Sequence, residues 1–299
     1  MSAADVPMPT RVRLIHGVLQ RLAEQAGADV LHIKGPAVAP EIMGTSTVRD
    51  PITHEMVEVV NDRDSSDADI LIRPEHVDRL LVVMHRAGWD FKTSFAGSSA
   101  FGHAMNVHHP TMGNADLHRH FPGLDRKAFE TLWADRGEVE LGHVSCPVPS
   151  VTGQRLLLLV HAARSGPDHP DRDRAWGRAS EYERTQVSAL AERLHAEVGL
   201  AAALGNLEQY RTHREYLLWK SFGERHPSRL GEWRARWRAA DGPVEKARVV
   251  AMLATMDAGL LEAELGRPPT SRDRVKRALR RWTTLGHEVR ALLRRRRSR

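Results

Sequence analysis

The chain has 299 residues, of which 41% are hydrophobic and 27% charged, a composition that is typical of a globular protein and excludes a disordered one. Its one cysteine, Cys146, excludes an intramolecular disulfide and a zinc site built from cysteines, and it favours a reducing compartment. The formal net charge of +6 allows a polyanionic partner without requiring one.

Neither a signal peptide nor a membrane span is predicted. Residues 1–10 do not combine a basic segment with an apolar run. The longest strongly apolar run is residues 156–160, which is far too short to cross a bilayer. We therefore expect a cytoplasmic protein without a transmembrane segment.

The first elements predict a strand followed by a glycine turn. Apolar residues at helical spacing predict a helix over residues 11–26, which Gly27 ends. Residues 29–34 then indicate a strand, and Gly35 opens a turn and a short helix. In such an arrangement free N–H groups at the helix start face a ligand, and Lys34 at the strand end is able to reach a phosphate. The alternative is a surface lysine before an ordinary turn.

A polar stretch over residues 45–60 follows the glycine turn. Its alternation on both sides of Asp50 and Pro51 predicts a β-hairpin. This hairpin either covers the site as a flap or is a surface insertion.

The segment that begins at Arg63 carries the strongest functional signal. Asp67 and Asp69 lie one residue apart at the start of an apolar run that predicts a buried strand. Side chains alternate along a strand, so both carboxylates point to one face, about 7 Å apart. They would repel each other without a cation between them, and Mg²⁺ prefers one or two carboxylates together with substrate phosphates. The segment predicts a metal-dependent enzyme with a phosphorylated substrate, and the alternative is a solvated acidic loop.

A third carboxylate follows on a later strand. Strands are predicted over residues 103–109 and 115–121, and alternation places Asp116, His118 and His120 on one face of the second. A third carboxylate on an adjacent strand is what a two-metal site needs. The histidines of both strands leave a zinc site open, although hard oxygen ligands suit Mg²⁺ or Mn²⁺ better.

From about residue 151 the strand signals stop and helical patterns follow. The predicted helices are residues 156–163, 181–199, 214–222, 229–239, 244–265 and 271–293. A charged loop over residues 165–177 separates the first two. This shift predicts a catalytic domain over residues 1–150 and a helical C-terminal domain over residues 151–299.

The C-terminal helices combine aromatic and basic residues. Trp219, Trp233 and Trp237 lie among arginines, a combination that can bind single-stranded nucleic acid but more often fills a helical core. The last helix is amphipathic and ends in an arginine-rich tail, residues 294–299. Such a helix either contacts RNA or an anionic membrane, or docks on the domain and leaves a solvated tail.

The order of these pieces resembles a known family. A strand ending in Lys-Gly, an arginine four residues before Asp-X-Asp, and a later Asp-Leu-His are similar to the uncharacterised nucleotidyltransferases of the DNA polymerase β-like superfamily. The matching positions are Lys34, Gly35, Arg63, Asp67, Asp69, Asp116 and His118. They cover about the first half of the chain. The chain departs from the superfamily pattern at Pro36, where a serine usually follows the glycine.

The resemblance implies an α+β fold, with a small mixed β-sheet nucleotidyltransferase core flanked by helices and followed by a mostly α-helical C-terminal domain. It implies two Mg²⁺ (or Mn²⁺) ions bound between an NTP and three carboxylates. On this basis the catalytic and metal-holding residues are Asp67, Asp69 and Asp116. The implied nucleotide-binding residues are Lys34, Gly35, Arg63 and His118.

The reaction expected from the resemblance is in-line attack by an acceptor hydroxyl on the α-phosphorus of the NTP, with release of pyrophosphate. The acceptor could be a small molecule, a peptide or an RNA end. Two alternatives stay open at this point. The same metal site could direct attack on the γ-phosphorus, as a phosphotransferase does, or the chain could be a non-catalytic nucleotide- or RNA-binding protein.

Overall fold

The computed structural model describes residues 6–61, 63–95, 102–166, 168–223, 229–254, 270–273, 275–276 and 283. The fold is α+β, as predicted. A mixed five-stranded sheet lies in the first half of the chain, and helices make up the second half. No helix within the described ranges is long and apolar enough to cross a membrane.

The sheet has the strand order β1-β4-β7-β6-β5. Its strands are β1 (Val30–Ile33), β4 (Asp67–Ile72), β5 (Asp90–Phe91), β6 (Ala104–His109) and β7 (Gly113–His118). Strands β4 and β7 pair in parallel, and the other neighbours pair antiparallel. The parallel pair at the centre brings the starts of two strands to the same edge of the sheet.

Two layers of helices cover the sheet. One face packs on α1 (Met8–Ala26) and α3 (Val77–Arg86), where Ala68, Ile70 and Ile72 of β4 are buried. The other face carries Leu31 and Leu71, which belong to one apolar core with helix residues of the second half of the chain. Because the side chains of β4 alternate, Asp67 and Asp69 lie on this second face, between the sheet and the helical layer.

The helices that follow the sheet region are α5 (Val151–Ser165), α6 (Glu181–Arg193), α7 (Glu197–Ala203), α8 (Tyr216–Gly223), α9 (Arg229–Ala239) and α10 (Gly242–Ala254). The charged loop before α6 contains a π-helical turn, Asp173–Gly177. Ser150 caps α5 and Ser180 caps α6 with a capping box, so both starts follow the ordinary sequence rule. The division into two domains stays a prediction.

The polar stretch after α2 (Pro40–Met43) is a hairpin, as predicted, formed by β2 (Thr45–Arg49) and β3 (Met56–Val60). Its turn is held by the Asp50 side chain, which accepts hydrogen bonds from two backbone N–H groups. Both strands are largely exposed on both faces.

Two secondary-structure predictions were wrong, and one hairpin was missed. The strand predicted over residues 115–121 ends at His118, so His120 lies beyond it. The helix predicted over residues 181–199 breaks before α7, because His195 adopts a positive φ of 53° that a helix cannot contain. The hairpin of β8 (Gly137–Leu141) and β9 (Val144–Val148), after α4 (Ala128–Ala134), was missed.

The C-terminal predictions fall mostly outside the described residues. The helix predicted over residues 244–265 is described up to Ala254 as part of α10. Of the last predicted helix the structure describes residues 271–273, 275–276 and 283. The arginine-rich tail, residues 294–299, lies outside the described ranges, and its contact with RNA stays a prediction.

Candidate active site

Three carboxylates meet at one edge of the central parallel strands. Asp69 of β4 is the register partner of Asp116 of β7, and Asp67 lies two residues earlier on the same face of β4. Neighbouring strands are about 4.8 Å apart, so the two register partners present their side chains next to each other. The structure thus brings the three acids together on adjacent strands, and their role as metal ligands stays a prediction.

Asp69 is the buried centre of the cluster. Its Oδ1 accepts hydrogen bonds from Lys34 Nζ at 2.6 Å and from His118 Nε2 at 2.8 Å. Burial acts to raise the pKa of Asp69, but the Lys34 charge and the His118 hydrogen bond outweigh burial and hold this pKa well below its usual range. Asp69 is therefore ionised throughout the physiological pH range.

Asp67 and Asp116 lack such compensation. Burial, followed by the charge of Asp69, raises the pKa of Asp67. Burial and the charges of both other acids raise the pKa of Asp116 to about 6. Asn106 Nδ2 donates a hydrogen bond to Asp116, which lowers this pKa but does not cancel the repulsion. The cluster holds more negative charge than its described neighbours neutralise, which favours a bound cation.

The turn after β1 aims Lys34 at the cluster. Lys34 has φ 59° and ψ −170°, a region that non-glycine residues rarely occupy and that costs about 1–3 kcal/mol. Gly35 follows with φ 47°, and a Cβ atom there would lie 3.2 Å from the Cβ of Ser65. Strain of this kind is concentrated at functional sites, so the turn favours a functional role for Lys34.

Ser65 stands beside the glycine turn, opposite Gly35. Its Oγ donates to the backbone carbonyl of Asp67 at 2.7 Å and lies 3.3 Å from Asp67 Oδ1. The serine that the superfamily pattern has after the glycine is Pro36 here, and a hydroxyl from the acidic segment lies against the same turn instead.

Arg63 has a partner that the sequence did not reveal. Its Nε and Nη2 donate to the carboxylate of Asp171, with Nη2 2.8 Å from Oδ2. Asp171 is fully buried and also accepts from Arg174 at 3.2 Å. The charge of Arg63 still acts on Asp67, so the guanidinium lies near the acids while Asp171 holds it.

A second set of side chains faces the acids from the helical layer. His161 and Arg164 come from the end of α5, and His169 and Asp171 come from the loop that follows; we call these four residues the helical wall. Arg164 contacts His103 of the sheet side, which brings the helical wall next to the acid cluster. The sequence analysis assigned residues 165–177 only as a charged loop, because contacts across more than 90 residues leave no local pattern.

Histidines extend the site on the sheet side. His103 stacks on His118 with ring centroids 5.6 Å apart, and its Nε2 lies 3.4 Å from Arg164 Nη2. His118 Nδ1 is buried and makes no hydrogen bond to the described residues. The buried His118 ring thus joins Asp69 on one side to His103 on the other.

The donor set fits a hard divalent cation. One atom each of Asp69, Asp116 and His118 lie within 4.8 Å of one another, and Asp67 adds a third carboxylate. Carboxylate oxygens suit Mg²⁺ or Mn²⁺ better than zinc, and the excess negative charge at Asp67 and Asp116 is what such an ion would offset. A histidine-based zinc site stays the less favoured alternative.

A cavity of about 380 Å³ opens beside the same turn. Its apolar side comes from the start of α1 and from Pro36, and its polar side comes from the acidic segment. The lining residues are Met8, Pro9, Val12, Arg13, Pro36, Arg63, Asp64, Ser65 and Ser66. The cavity is large enough for part of a small ligand.

Comparisons with known proteins give little further information. No protein-family model and no curated protein matches the chain. A solved structure, an antigenic nucleotidyltransferase-like protein from Paracoccidioides brasiliensis, is 15% identical, with 68% of this chain and 89% of that chain covered and a TM-score of 0.33. At this identity and TM-score the likeness assigns neither a fold nor a function to the chain.

Proposed function

We propose that this protein is a metal-dependent nucleotidyltransferase, which moves an NMP group from an NTP to an acceptor hydroxyl and releases pyrophosphate. The observation that carries the proposal is the placement of Asp67, Asp69 and Asp116 on one face of two paired strands. Burial, followed by the charges of the neighbouring acids, raises the pKa of Asp67 and Asp116. The resemblance of the sequence motifs to the DNA polymerase β-like superfamily supports the same reading.

Asp67, Asp69 and Asp116 are the residues that would hold the metal. A bound Mg²⁺ or Mn²⁺ supplies charge stabilisation for the phosphates and lowers the pKa of the attacking hydroxyl. The three acids themselves act by position, since strands fix the carboxylates more precisely than loops do. His118 orients the Asp69 carboxylate through its 2.8 Å hydrogen bond.

Lys34 is proposed to contact the phosphates. In the structure its ammonium group donates to Asp69 Oδ1, so it balances a carboxylate charge next to the proposed phosphate position. A nucleotide bound at this edge lies within reach of the same flexible side chain. Gly35 lets the backbone approach closely, and Arg63 adds a second cation near Asp67.

The acceptor is proposed to bind in the cavity beside Pro36 and Ser65, which opens between the start of α1 and the acidic segment. Its apolar side favours an acceptor or a nucleoside with an apolar face. The division into residues 1–150 and 151–299, the cytoplasmic location and an RNA contact through the C-terminal tail remain predictions.

The test uses NTPs labelled in parallel at the α- and γ-phosphates, incubated with the purified protein, Mg²⁺ or Mn²⁺ and a cell extract. We expect label from the α-position on an acceptor, and its loss in Asp67→Asn/Asp116→Asn. The matched control is Asp78→Asn, which changes an exposed acid on α3. Carboxylate-dependent transfer from the γ-position would identify a phosphotransferase instead.

An experiment in which no label is transferred requires a second measurement. If neither label moves, the same samples are assayed for NTP binding by isothermal titration calorimetry. Binding that is unchanged in Asp67→Asn/Asp116→Asn would contradict the proposal and favour the non-catalytic nucleotide-binding alternative.

A further inference from the structure

Three side chains converge beyond the carboxylate cluster. One nitrogen of His161, one nitrogen of His169 and one oxygen of Asp171 lie within 4.8 Å of one another. The two imidazole rings meet edge to face, with centroids 5.2 Å apart. The sequence motifs assign no role to any of these residues, so the convergence needs an explanation of its own.

The charges around this group favour an anion over a metal ion. Asp171 is the only acid of the three, and both of its oxygens already accept hydrogen bonds from Arg63 and Arg174. A cation bound to Asp171 would lie against two guanidinium groups, and like charges at such distances repel strongly in a partly buried site. With one carboxylate beside two arginines, the local charge balance is positive.

Donors remain available for that anion. Nη1 of Arg63 makes no hydrogen bond to the described residues, whereas Nε and Nη2 are fixed by Asp171. His169 Nδ1 accepts from the backbone N–H of Asp171 at 3.3 Å, which leaves the ring proton on Nε2 as a donor. A guanidinium held in this way is already oriented for a phosphate.

The positive charges near this group also act on His161. Burial, followed by the charges of Lys34 and Arg63, lowers the pKa of His161 to about 3. A phosphate placed here would offset both charges and favour the protonated ring, which donates from both nitrogens. On the same helix as His161, Arg164 Nη2 lies 3.4 Å from His103 Nε2. His103 stacks on His118, the hydrogen-bond partner of Asp69, so the anion position adjoins the proposed metal site.

We infer that Arg63, His161 and His169 bind the phosphates of the NTP that leave as pyrophosphate. The inference rests on the proposed nucleotidyl transfer and deepens it, because it assigns the leaving group to Arg63 and the histidines of the helical wall, whereas a metal ion held by the acids would contact the α-phosphate. The ligand class is a linear polyphosphate, and a single phosphate fills only part of the site.

The test is calorimetric titration of the full chain with inorganic tripolyphosphate in the presence of Mg²⁺. We expect the Kd for tripolyphosphate to rise about tenfold or more in His161→Gln/His169→Gln, because at least one charge-assisted hydrogen bond is lost. The matched control is His143→Gln, at a side chain that is 94% exposed in the β8–β9 turn, and it should not change the affinity. Equal affinities in all three proteins would overturn the inference.

Two further measurements test the inference if the double variant does not fold or if the site binds a metal ion. If the double variant does not fold, His169→Gln alone is titrated, because its side chain is partly exposed and its loss disturbs little packing. Binding of one equivalent of Zn²⁺ or Ni²⁺ that is lost in the histidine variants would overturn the inference in favour of a metal site.

The failure of this inference is distinguishable from the failure of the proposed function. Transfer of the α-label with an unchanged KM for NTP in the histidine variants would overturn the inference and leave the proposed function intact. Histidine-dependent tripolyphosphate binding, together with NTP binding that is unchanged in Asp67→Asn/Asp116→Asn and no transfer of the α-label, would support the polyphosphate site and contradict nucleotidyl transfer.

Discussion

The two walls of the cleft differ in charge and in how the chain builds them. The sheet wall places Asp67, Asp69 and Asp116 on strands in fixed register. The helical wall takes His161 from the end of a helix and Asp171 from the following loop. The three acids of the proposed metal site therefore lie on paired strands, whereas the one acid of the helical wall, Asp171, is paired with Arg63 and Arg174.

This difference matches the different roles that we propose for the two walls, metal binding and phosphate binding. A metal site needs ligand positions that do not vary, and paired strands supply them. Phosphate oxygens accept hydrogen bonds from several directions, so a wall of cationic side chains tolerates less regular geometry. A metal–triphosphate complex is the ligand class that matches a negative wall facing a positive one.

The largest effect is expected from a substitution of Asp69, the buried centre of the sheet wall. Asp69→Ala removes the acceptor of both Lys34 and His118 and leaves an uncompensated ammonium group in a largely buried position. We expect the free energy of unfolding to fall by about 3–5 kcal/mol and transfer of the α-label to be lost. Chemical denaturation and the labelled-NTP assay measure the two effects.

A double variant checks the cause of that loss. Adding Lys34→Met to Asp69→Ala removes the stranded charge, so part of the stability should return while transfer stays absent. An Asp69→Ala protein as stable as the wild type would mean that the Lys34–Asp69 pair contributes nothing to the fold.

A smaller effect concerns the pH dependence of stability without metal. The pKa of Asp116 is raised to about 6 in the folded protein, so the folded state binds more protons than the unfolded state between about pH 4 and pH 6. Stability should therefore fall as pH rises through this window. Asp116→Asn removes this penalty and should stabilise the protein by about 1–3 kcal/mol at pH 7.5 in EDTA, with little difference at pH 4.

Denaturation curves of both proteins across this pH range measure the effect. Asp78→Asn serves as the control, and an exposed acid of this kind should change stability by less than about 0.5 kcal/mol at either pH. An Asp116→Asn protein that is less stable than the wild type at pH 7.5 would contradict a raised pKa of Asp116 in the folded state.

The smallest effect concerns the glycine turn after β1, which packs against Ser65. Gly35→Ala places a Cβ at a positive φ of 47° and 3.2 Å from Ser65 Cβ. We expect a loss of about 1–2 kcal/mol in stability and a larger proportional loss of transfer, because Lys34 is displaced. Gly205→Ala is the matched control, since Gly205 has φ 78° with open space around its Cβ position. Equal losses of transfer in the two variants would separate the turn from catalysis.

Much of the sheet wall could be predicted from the sequence. The alternation of β4 fixed the face on which Asp67 and Asp69 lie, and the later strand with Asp116 proved to be its parallel neighbour. Period-two patterning and local turn signals are properties of short segments, so they survive in a single sequence. Lys34 could be predicted for the same reason, because it lies at the end of a strand and before a glycine turn.

The helical wall could not be predicted in this way. Arg63 meets Asp171 across 108 residues, and no local pattern reports such a contact. The β8–β9 hairpin was missed although its two-residue turn, Gly142 and His143, has positive φ at both positions and a glycine that signals it. The positive φ of His195 between α6 and α7 gives no warning in a segment whose apolar spacing continues through it.

The most direct test of the account is a titration of the metal-free protein with Mn²⁺, followed by electron paramagnetic resonance, with and without a non-hydrolysable NTP analogue. We expect Mn²⁺ to bind the wild-type protein and the analogue to tighten this binding. Asp67→Asn/Asp116→Asn should lose Mn²⁺ binding, and Asp78→Asn should keep it. Mn²⁺ and analogue binding that are the same in all three proteins would contradict the claim that this carboxylate cluster is the metal site.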